Sequence, residues 1–334
     1  MYRGTLIRSG GNAKTIKGDK AGEYETAIMY LAPAAQSGMG NVCPMAATAG
    51  CEMGCLSKAG RAAIFNSIVN ARIAKTRRYF SDRAAFMAEL VKDIEAFVRY
   101  CERKGVKPAV RLNGTSDIQW EVAHPCVRYI NPKHPQQERE AHFASIFHAF
   151  PEVQFYDYTK ITKRAYRSLP ANYALTLSYS EANPAYAAAA IKAACETGLN
   201  MAVVYRSKAI RDNMLYSGDA FGDASNGAVS TPRVIRQVID GDETDMRFND
   251  PRGVIVGLYA KGPAKRDTSG FVVGQPLHSR NRSMSASVGS LDSLAGAALG
   301  HPRMEPSWKS QSLPSFGRSS WASCFVAFVA EVRS

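Results

Sequence analysis

The stretch VQFYDYTKITKRAYRSLPANYALTLSYSEANPAYAAAAIKAACETGLNMAVVYRS, Val153–Ser207, contains the fold in miniature. Its aromatic and aliphatic runs VQFYDY (Val153–Tyr158), YALTLS (Tyr173–Ser178) and NMAVVY (Asn200–Tyr205) have strand length and strand composition. Between the last two lies PAYAAAAIKAACETG (Pro184–Gly198), where a proline suits the first helical turn and a glycine the end. Strand, helix, strand is the unit that builds parallel sheets. Outward from this stretch the same alternation continues, with ETAIMYLAP (Glu25–Pro33) and PAVRLNG (Pro108–Gly114) before it and GVIVGLYA (Gly253–Ala260) after it. Apolar residues at helical spacing, Ile64, Phe65, Ile68 and Ile73, predict a helix from Ala63 to about Tyr79. Ser81 or Asp82 then caps a second helix through Phe86, Leu90, Ile94, Phe97 and Val98, which Gly105 ends. Six strands mostly separated by helices predict an α/β fold, either an open doubly wound sheet or a partial (β/α)6 TIM-type barrel, and the barrel is the expected class.

The segment after the first strand, NVCPMAATAGCEMGCLSKAGR, holds Cys43, Cys51 and Cys55 in a C-x7-C-x3-C spacing. A buried cysteine by itself is a small hydrophobe. Three of seven cysteines within thirteen residues, flanked by Gly40, Gly50, Gly54 and Gly60, suit a loop wrapped around an inorganic centre better. Three thiolates on one centre leave a coordination position for a non-protein ligand. The expected metal ligands are therefore Cys43, Cys51 and Cys55.

In a parallel sheet the reactive groups collect at the strand C-terminal ends. Four of those ends are polar here: Asn113, Gly114, Thr115, Ser116 and Asp117; Asp157, Thr159 and Lys160; Ser178, Ser180 and Glu181; and Arg206. Each alone has an ordinary reading as a turn or cap residue. Their recurrence predicts a ring facing the cysteine loop, with Asp117, Asp157, Lys160 and Glu181 as candidate catalytic groups. Asn113, Gly114, Ser116, Ser178 and Arg206 are candidates for holding the polar end of a small molecule.

The chain has 334 residues, 46% of them hydrophobic, enough to bury one large core. No stretch reaches the length of about 18 apolar residues that a membrane span needs. Scattered cysteines at 101, 126, 195 and 324 and the lack of a secretory start predict a reducing cytoplasm. A net charge of +13, from 42 basic and 29 acidic residues, suits a polyanion such as nucleic acid or an anionic substrate, and equally a solvated surface. VIDGDETDMRF (Val238–Phe248) fails the calcium-loop spacing and reads as a turn. His124, His134, His142 and His148 read as surface or structural, with His124 or Cys126 as the remaining candidates for a fourth metal ligand. From Gly274 the chain is rich in Ser, Gly and Pro without periodicity, which predicts a flexible tail over 274–334, after an extension over 1–22 and a domain over 23–273.

The run CPMAATAGCEMGCLSKAGR, followed in order by PAVRLNGTSDIQWE, VQFYDYTK, LTLSYSE, VIDGDETDMRFNDPRGVIVGLYAKGPA and DTSGFV, resembles the bacteriophage gene product 88 domain family over roughly residues 23–273. That resemblance implies no particular activity. The order of strand, three-cysteine loop, helix and polar strand ends is also similar to the radical S-adenosylmethionine enzymes. Those are partial (β/α)6 barrels whose three cysteines hold a [4Fe–4S] cluster with one iron open to S-adenosylmethionine. The second resemblance implies a [4Fe–4S] cluster on Cys43, Cys51 and Cys55. It also implies that Ile255, in the G-x-I-x-G run Gly253–Gly257, passes the adenine. Two departures accompany it: the usual cysteine spacing is C-x3-C-x2-C, and Asn113–Asp117 stands where that superfamily has Gly-Gly-Glu. The leading expectation is thus an iron-sulfur protein, a radical-S-adenosylmethionine-like enzyme acting on a small molecule. The alternatives are a zinc- or cluster-stabilised, non-enzymatic nucleic-acid-associated protein, and a metal-free enzyme working through Asp157, Lys160 and Glu181.

Overall fold

A computed structural model describes residues 1–20, 22–130, 139–217 and 236–274. The segment predicted as a tail lies outside the described residues from 275 onward, as do His134 and Cys324.

The elements in chain order are β1 (Ile7–Ser9), α1 (Ala13–Asp19), β2 (Tyr24–Met29), α2 (Asn66–Ser81), α3 (Arg83–Lys104), β3 (Lys107–Arg111), β4 (Cys126–Ile130), β5 (Arg139–Phe143), α4 (Ile146–Ala149), β6 (Gln154–Thr159), β7 (Tyr173–Ser178), α5 (Pro184–Thr197), β8 (Met201–Tyr205), α6 (Lys208–Ser217), β9 (Val238–Asp240) and β10 (Ile255–Tyr259). All six strands expected from the sequence are present, as β2, β3, β6, β7, β8 and β10. Local chemistry sets several boundaries. The Asp82 carboxylate accepts from Ala85 N at 2.9 Å and starts α3. The Asn183 side chain accepts from Tyr186 N at 3.0 Å and starts α5, and Gly198, at φ +69°, ends it in the left-handed conformation.

Eight strands form one sheet in the order β1-β2-β3-β6-β7-β8-β10-β9, and β4 and β5 form a separate antiparallel hairpin. Only β1 runs antiparallel to its neighbour. The six long parallel strands lie side by side in sequence order, so right-handed crossovers put α3 and α5 on one face. There Ala27, Met29, Val110, Leu112 and Phe155 pack with Phe86, Leu90, Ile94 and Phe97 of α3. Further along, Leu177, Met201, Val203 and Ile255 pack with Tyr186, Ala190, Ala193 and Ala194 of α5.

The sheet curls away from these helices. Laid flat, seven inter-strand steps of about 4.8 Å would put β1 and β9 roughly 34 Å apart. Yet Lys14 Nζ, five residues past β1, lies 2.9 Å from Asp242 Oδ1, two residues past β9. The concave face is filled by the β9–β10 connection. Arg111 pairs with Asp245 at 2.9 Å, the Tyr156 hydroxyl lies 3.4 Å from the same carboxylate, and Phe248 packs edge-on to Tyr24 at 4.9 Å. Curling is not closure: among the described residues β1 and β9 each pair with one neighbour only. The fold is therefore mixed α/β with a mostly parallel, curled sheet, where the sequence led us to expect a TIM-type barrel. Closure would need β9, only three residues long, to ladder onto β1 or β2, and α1 occupies that seam instead. The predicted 1–22 extension contains β1 and α1 and belongs to the sheet domain.

Candidate functional site

The cysteine loop lies at the C-terminal edge of the sheet and is tied to it strand by strand. The Thr115 hydroxyl donates to Leu31 O at 2.6 Å and Asp117 N donates to Val42 O at 2.8 Å, both from the segment after β3. After β7, the Ser180 hydroxyl donates to Ala49 O at 2.6 Å; after β10, the Ser269 hydroxyl donates to Gly50 O at 2.8 Å. Gly50 has φ +61°, and a Cβ there would stand 2.7 Å from both Ala182 Cβ and Ser269 Oγ. Only glycine allows the loop to turn this close to its clasp.

The three thiols are half-buried and unpaired by disulfides. Burial pushes the Cys43 thiol up to about 12, and the proximity of Cys55, Asp117 and Cys51 adds to the shift. Cys51 is also raised by burial, opposed by the Lys160 ammonium. Cys43 Sγ sits 3.6 Å from Thr115 O, and Cys55 Sγ accepts from Ser57 N at 3.5 Å. At Cys43 and Cys51 a thiolate is disfavoured unless a cation arrives beside it.

Lys160, directly after β6, is the cation facing them. Its Nζ donates to Ser178 Oγ at 2.9 Å and lies 4.7 Å from the centre of the Phe271 ring. Burial lowers its pKa, with Cys51 and Asp117 opposing. Asp117 accepts from the Thr159 hydroxyl and from Lys160 N, both at 2.8 Å, and from Arg164 Nη1 at 3.0 Å. Burial still raises the Asp117 carboxyl. Arg164 is completely buried, forked onto Glu121 by two bonds of 2.9 Å and bonded to the Tyr173 hydroxyl at 2.7 Å. Burial alone would raise Glu121, but Arg164 and Arg167 outweigh it and hold it below the usual carboxylate range. Thus Lys160, Asp117, Ser178 and the three cysteines do come together at one edge.

Other expected site residues are placed differently. Asn113 spends its side chain inside the protein, accepting from Ser116 Oγ, Ile118 N and Trp120 Nε1 and donating to Ile118 O and Asp157. Asp157, fully buried, accepts from Asn113 N at 2.7 Å and from the Tyr173 hydroxyl at 3.1 Å, and burial pushes it up to about 7. Asn113, Ser116 and Asp157 are thus the scaffold under Asp117. Gly114 abuts Met29 O and Tyr30, the backbone approach that shapes the loop. Glu181 is half-buried, with its N donating to Gly270 O at 2.8 Å. Arg206 holds the backbone carbonyls of Lys265 and Val272. Ile255 begins β10 at the opposite end of the parallel sheet from the cysteines and is buried under α5, so it offers no surface to an adenine. Arg164, Glu121, Tyr186 and Phe271 were not legible as site residues, because each reaches the edge through contacts more than 40 residues away in sequence or from a segment with no motif.

Among the described residues no three His, Cys, Asp or Glu side chains stand together at the spacing of a single metal ion. The candidate fourth zinc ligands are committed elsewhere: His124 Nε2 bonds the Tyr79 hydroxyl at 2.9 Å, Nδ1 faces Val122 O at 2.5 Å, and Cys126 packs in the core beside α3. Cys43 lies within electrostatic reach of Cys51 and Cys55, and thiolates are ligands for iron-sulfur clusters and for zinc alike. No helix among the described residues is long and apolar enough to cross a membrane.

A family model described as Gene product 88 matches residues 5–275, and the chain belongs to that family. Neither the curated proteins nor the solved structures contain a match to it.

Proposed function

We propose that this gene product 88 protein holds a [4Fe–4S] cluster on Cys43, Cys51 and Cys55 and uses it on a small molecule bound at the same sheet edge. The observation that supports the reading most is the convergence of three buried-leaning thiols with Lys160 and Asp117 at the strand C-terminal ends. A three-thiolate cluster supplies an open iron that acts as a Lewis acid or an electron donor. The protein's own groups have defined parts. Lys160 offsets thiolate charge at Cys51; Asp117, through Thr159 and Lys160 N, fixes where that lysine sits; Arg164 and Glu121 hold Asp117. Ser178, beside Lys160, and Glu181, just past the end of β7, would orient the polar end of the substrate, for which S-adenosylmethionine is the finer form of the proposal. Ile255 has no part in it. A partial-barrel ancestry is the matching reading of the curled sheet, supported by six parallel strands in sequence order.

Anaerobic purification with iron and sulfide analysis tests this. The expected protein is brown, carries iron and sulfide in equal amounts, and loses both on Cys51→Ala. A colourless protein that takes up no iron on reconstitution, and that Cys51→Ala leaves unchanged, would falsify the proposal.

A further inference from the structure

A cavity of about 270 Å³ opens between the cysteine loop and α2, lined by Gln36, Ser57, Lys58, Ala62, Val69 and Arg72, with Ala63 at its side. It adjoins the thiols without being their site: Ser57 N donates to Cys55 Sγ, and Arg72 Nη1 donates to Ser57 O at 3.3 Å. Its lining holds two basic side chains, Lys58 and Arg72, and no carboxylate. Between residues 57 and 78 the chain has six basic residues, Lys58, Arg61, Arg72, Lys75, Arg77 and Arg78, and no Asp or Glu. Arg72 is half-buried and stacks over Tyr30 at 4.9 Å, and its Nε is buried without a hydrogen-bond partner. Buried arginines are ordinarily forked onto carboxylates, as Arg164 is onto Glu121 here. Among the described residues Arg72 meets a backbone carbonyl and an aromatic face and pairs with no carboxylate. Lys75, one turn on, is pushed down to about 8 by burial, with Arg8, Arg72 and Arg78 adding to it and Asp93 opposing. Two cationic side chains, Arg72 and Lys58, lining one cavity with no carboxylate among the lining residues are the arrangement that takes up an oxyanion.

We propose that this cavity binds a small oxyanion-bearing molecule, with its phosphate or carboxylate group held by Arg72 and Lys58 and its apolar part against Ala62 and Val69. The volume is just below that of typical small-molecule sites, about 300–1,000 Å³, so the ligand is of small-metabolite size. The inference does not depend on the cluster, since none of the lining residues is a thiol.

Calorimetric titration of the full chain with inorganic phosphate, and separately with acetate, at constant ionic strength set by chloride, tests it. Saturable binding of either anion is expected, phosphate alone marking a phosphate-bearing ligand and acetate alone a carboxylate. Arg72→Gln should weaken it at least tenfold and Lys58→Ala severalfold. Lys58 is exposed, so its replacement keeps the test valid if Arg72→Gln misfolds. Arg78→Gln, on the same helix outside the cavity, should change nothing. Cys51→Ser should bind the anion as the parent does whatever its iron content, which separates this inference from the cluster. Absence of saturable binding, equal affinity in both cavity variants, an equal loss in Arg78→Gln, or binding seen only with an oligonucleotide would overturn it.

Discussion

Replacing Arg164 by methionine removes a guanidinium that is 0% exposed and leaves Asp117 and Glu121, 11% and 6% exposed, without their shared cation. Breaking a buried ion pair by deleting one partner costs about 3–5 kcal/mol, because the surviving charge stays in a poorly solvating site. The lower end applies here. Glu121 keeps Arg167 at 2.8 Å, and Asp117 keeps the Thr159 hydroxyl and Lys160 N. A loss of about 3 kcal/mol corresponds to a fall in Tm of roughly 6–12 °C for a domain of this size. The pH dependence is the sharper readout. Burial already raises the Asp117 carboxyl and Arg164 is the largest influence opposing it, so in the variant the folded-state pKa rises further above the unfolded value of about 3.9. A raised acid binds its proton more tightly folded than unfolded, so the variant gains stability as pH falls through that window. Calorimetric melts at pH 7.5 and pH 5 should therefore show a gap from the parent that narrows on acidification. A Tm change below about 2 °C at pH 7.5, or a gap that widens toward pH 5, would refute the reasoning.

Two further outcomes are expected. Gly50→Ala puts a Cβ 2.7 Å from Ala182 and demands φ +61° of a non-glycine residue. It should cost about 1–3 kcal/mol and release the loop, seen by mass spectrometry as faster alkylation of Cys51 in metal-free protein; unchanged labelling and Tm would show the clasp to be loose. Asp157, pushed up to about 7 by burial, holds a proton in the folded state that the unfolded chain loses near pH 4. Its contribution to stability therefore declines as pH rises from about 4 to 7, and Asp157→Asn should remove that decline from urea midpoints measured across the window. Parallel pH profiles for parent and variant would exclude the shift.

Much of the fold could be read from local pattern. The runs that became β2, β3, β6, β7, β8 and β10 announce themselves by composition, and Asp82, Pro184, Gly105 and Gly198 mark where helices start and stop. β1, β9 and the β4–β5 hairpin were missed for a common reason. They are three to five residues long, and such segments become strands only when a neighbour supplies the hydrogen bonds. The turn read in Val238–Phe248 is present at Gly241 and Asp242. The sequence did not show that Val238–Asp240 pairs as a strand, or that the acids there are partners of Arg111, Arg211, Lys14 and Lys261 from elsewhere in the chain.

The same division holds at the site. By itself the amino-acid sequence determined which residues share the C-terminal edge, since parallel strands all point their ends one way, and it singled out Cys43, Cys51, Cys55, Asp117, Lys160 and Ser178. Only the tertiary structure decided which polar residues face one another and which hold the scaffold. Asn113 and Asp157 went to the interior and Ile255 to the far end, while Arg164, Glu121 and Arg72 gained their roles through contacts with residues distant in sequence. The physical reason is that strand direction and helix capping are fixed by near neighbours. The partner of a buried charge is chosen by whatever the curled sheet brings against it, often more than a hundred residues away, as with Arg111 and Asp245.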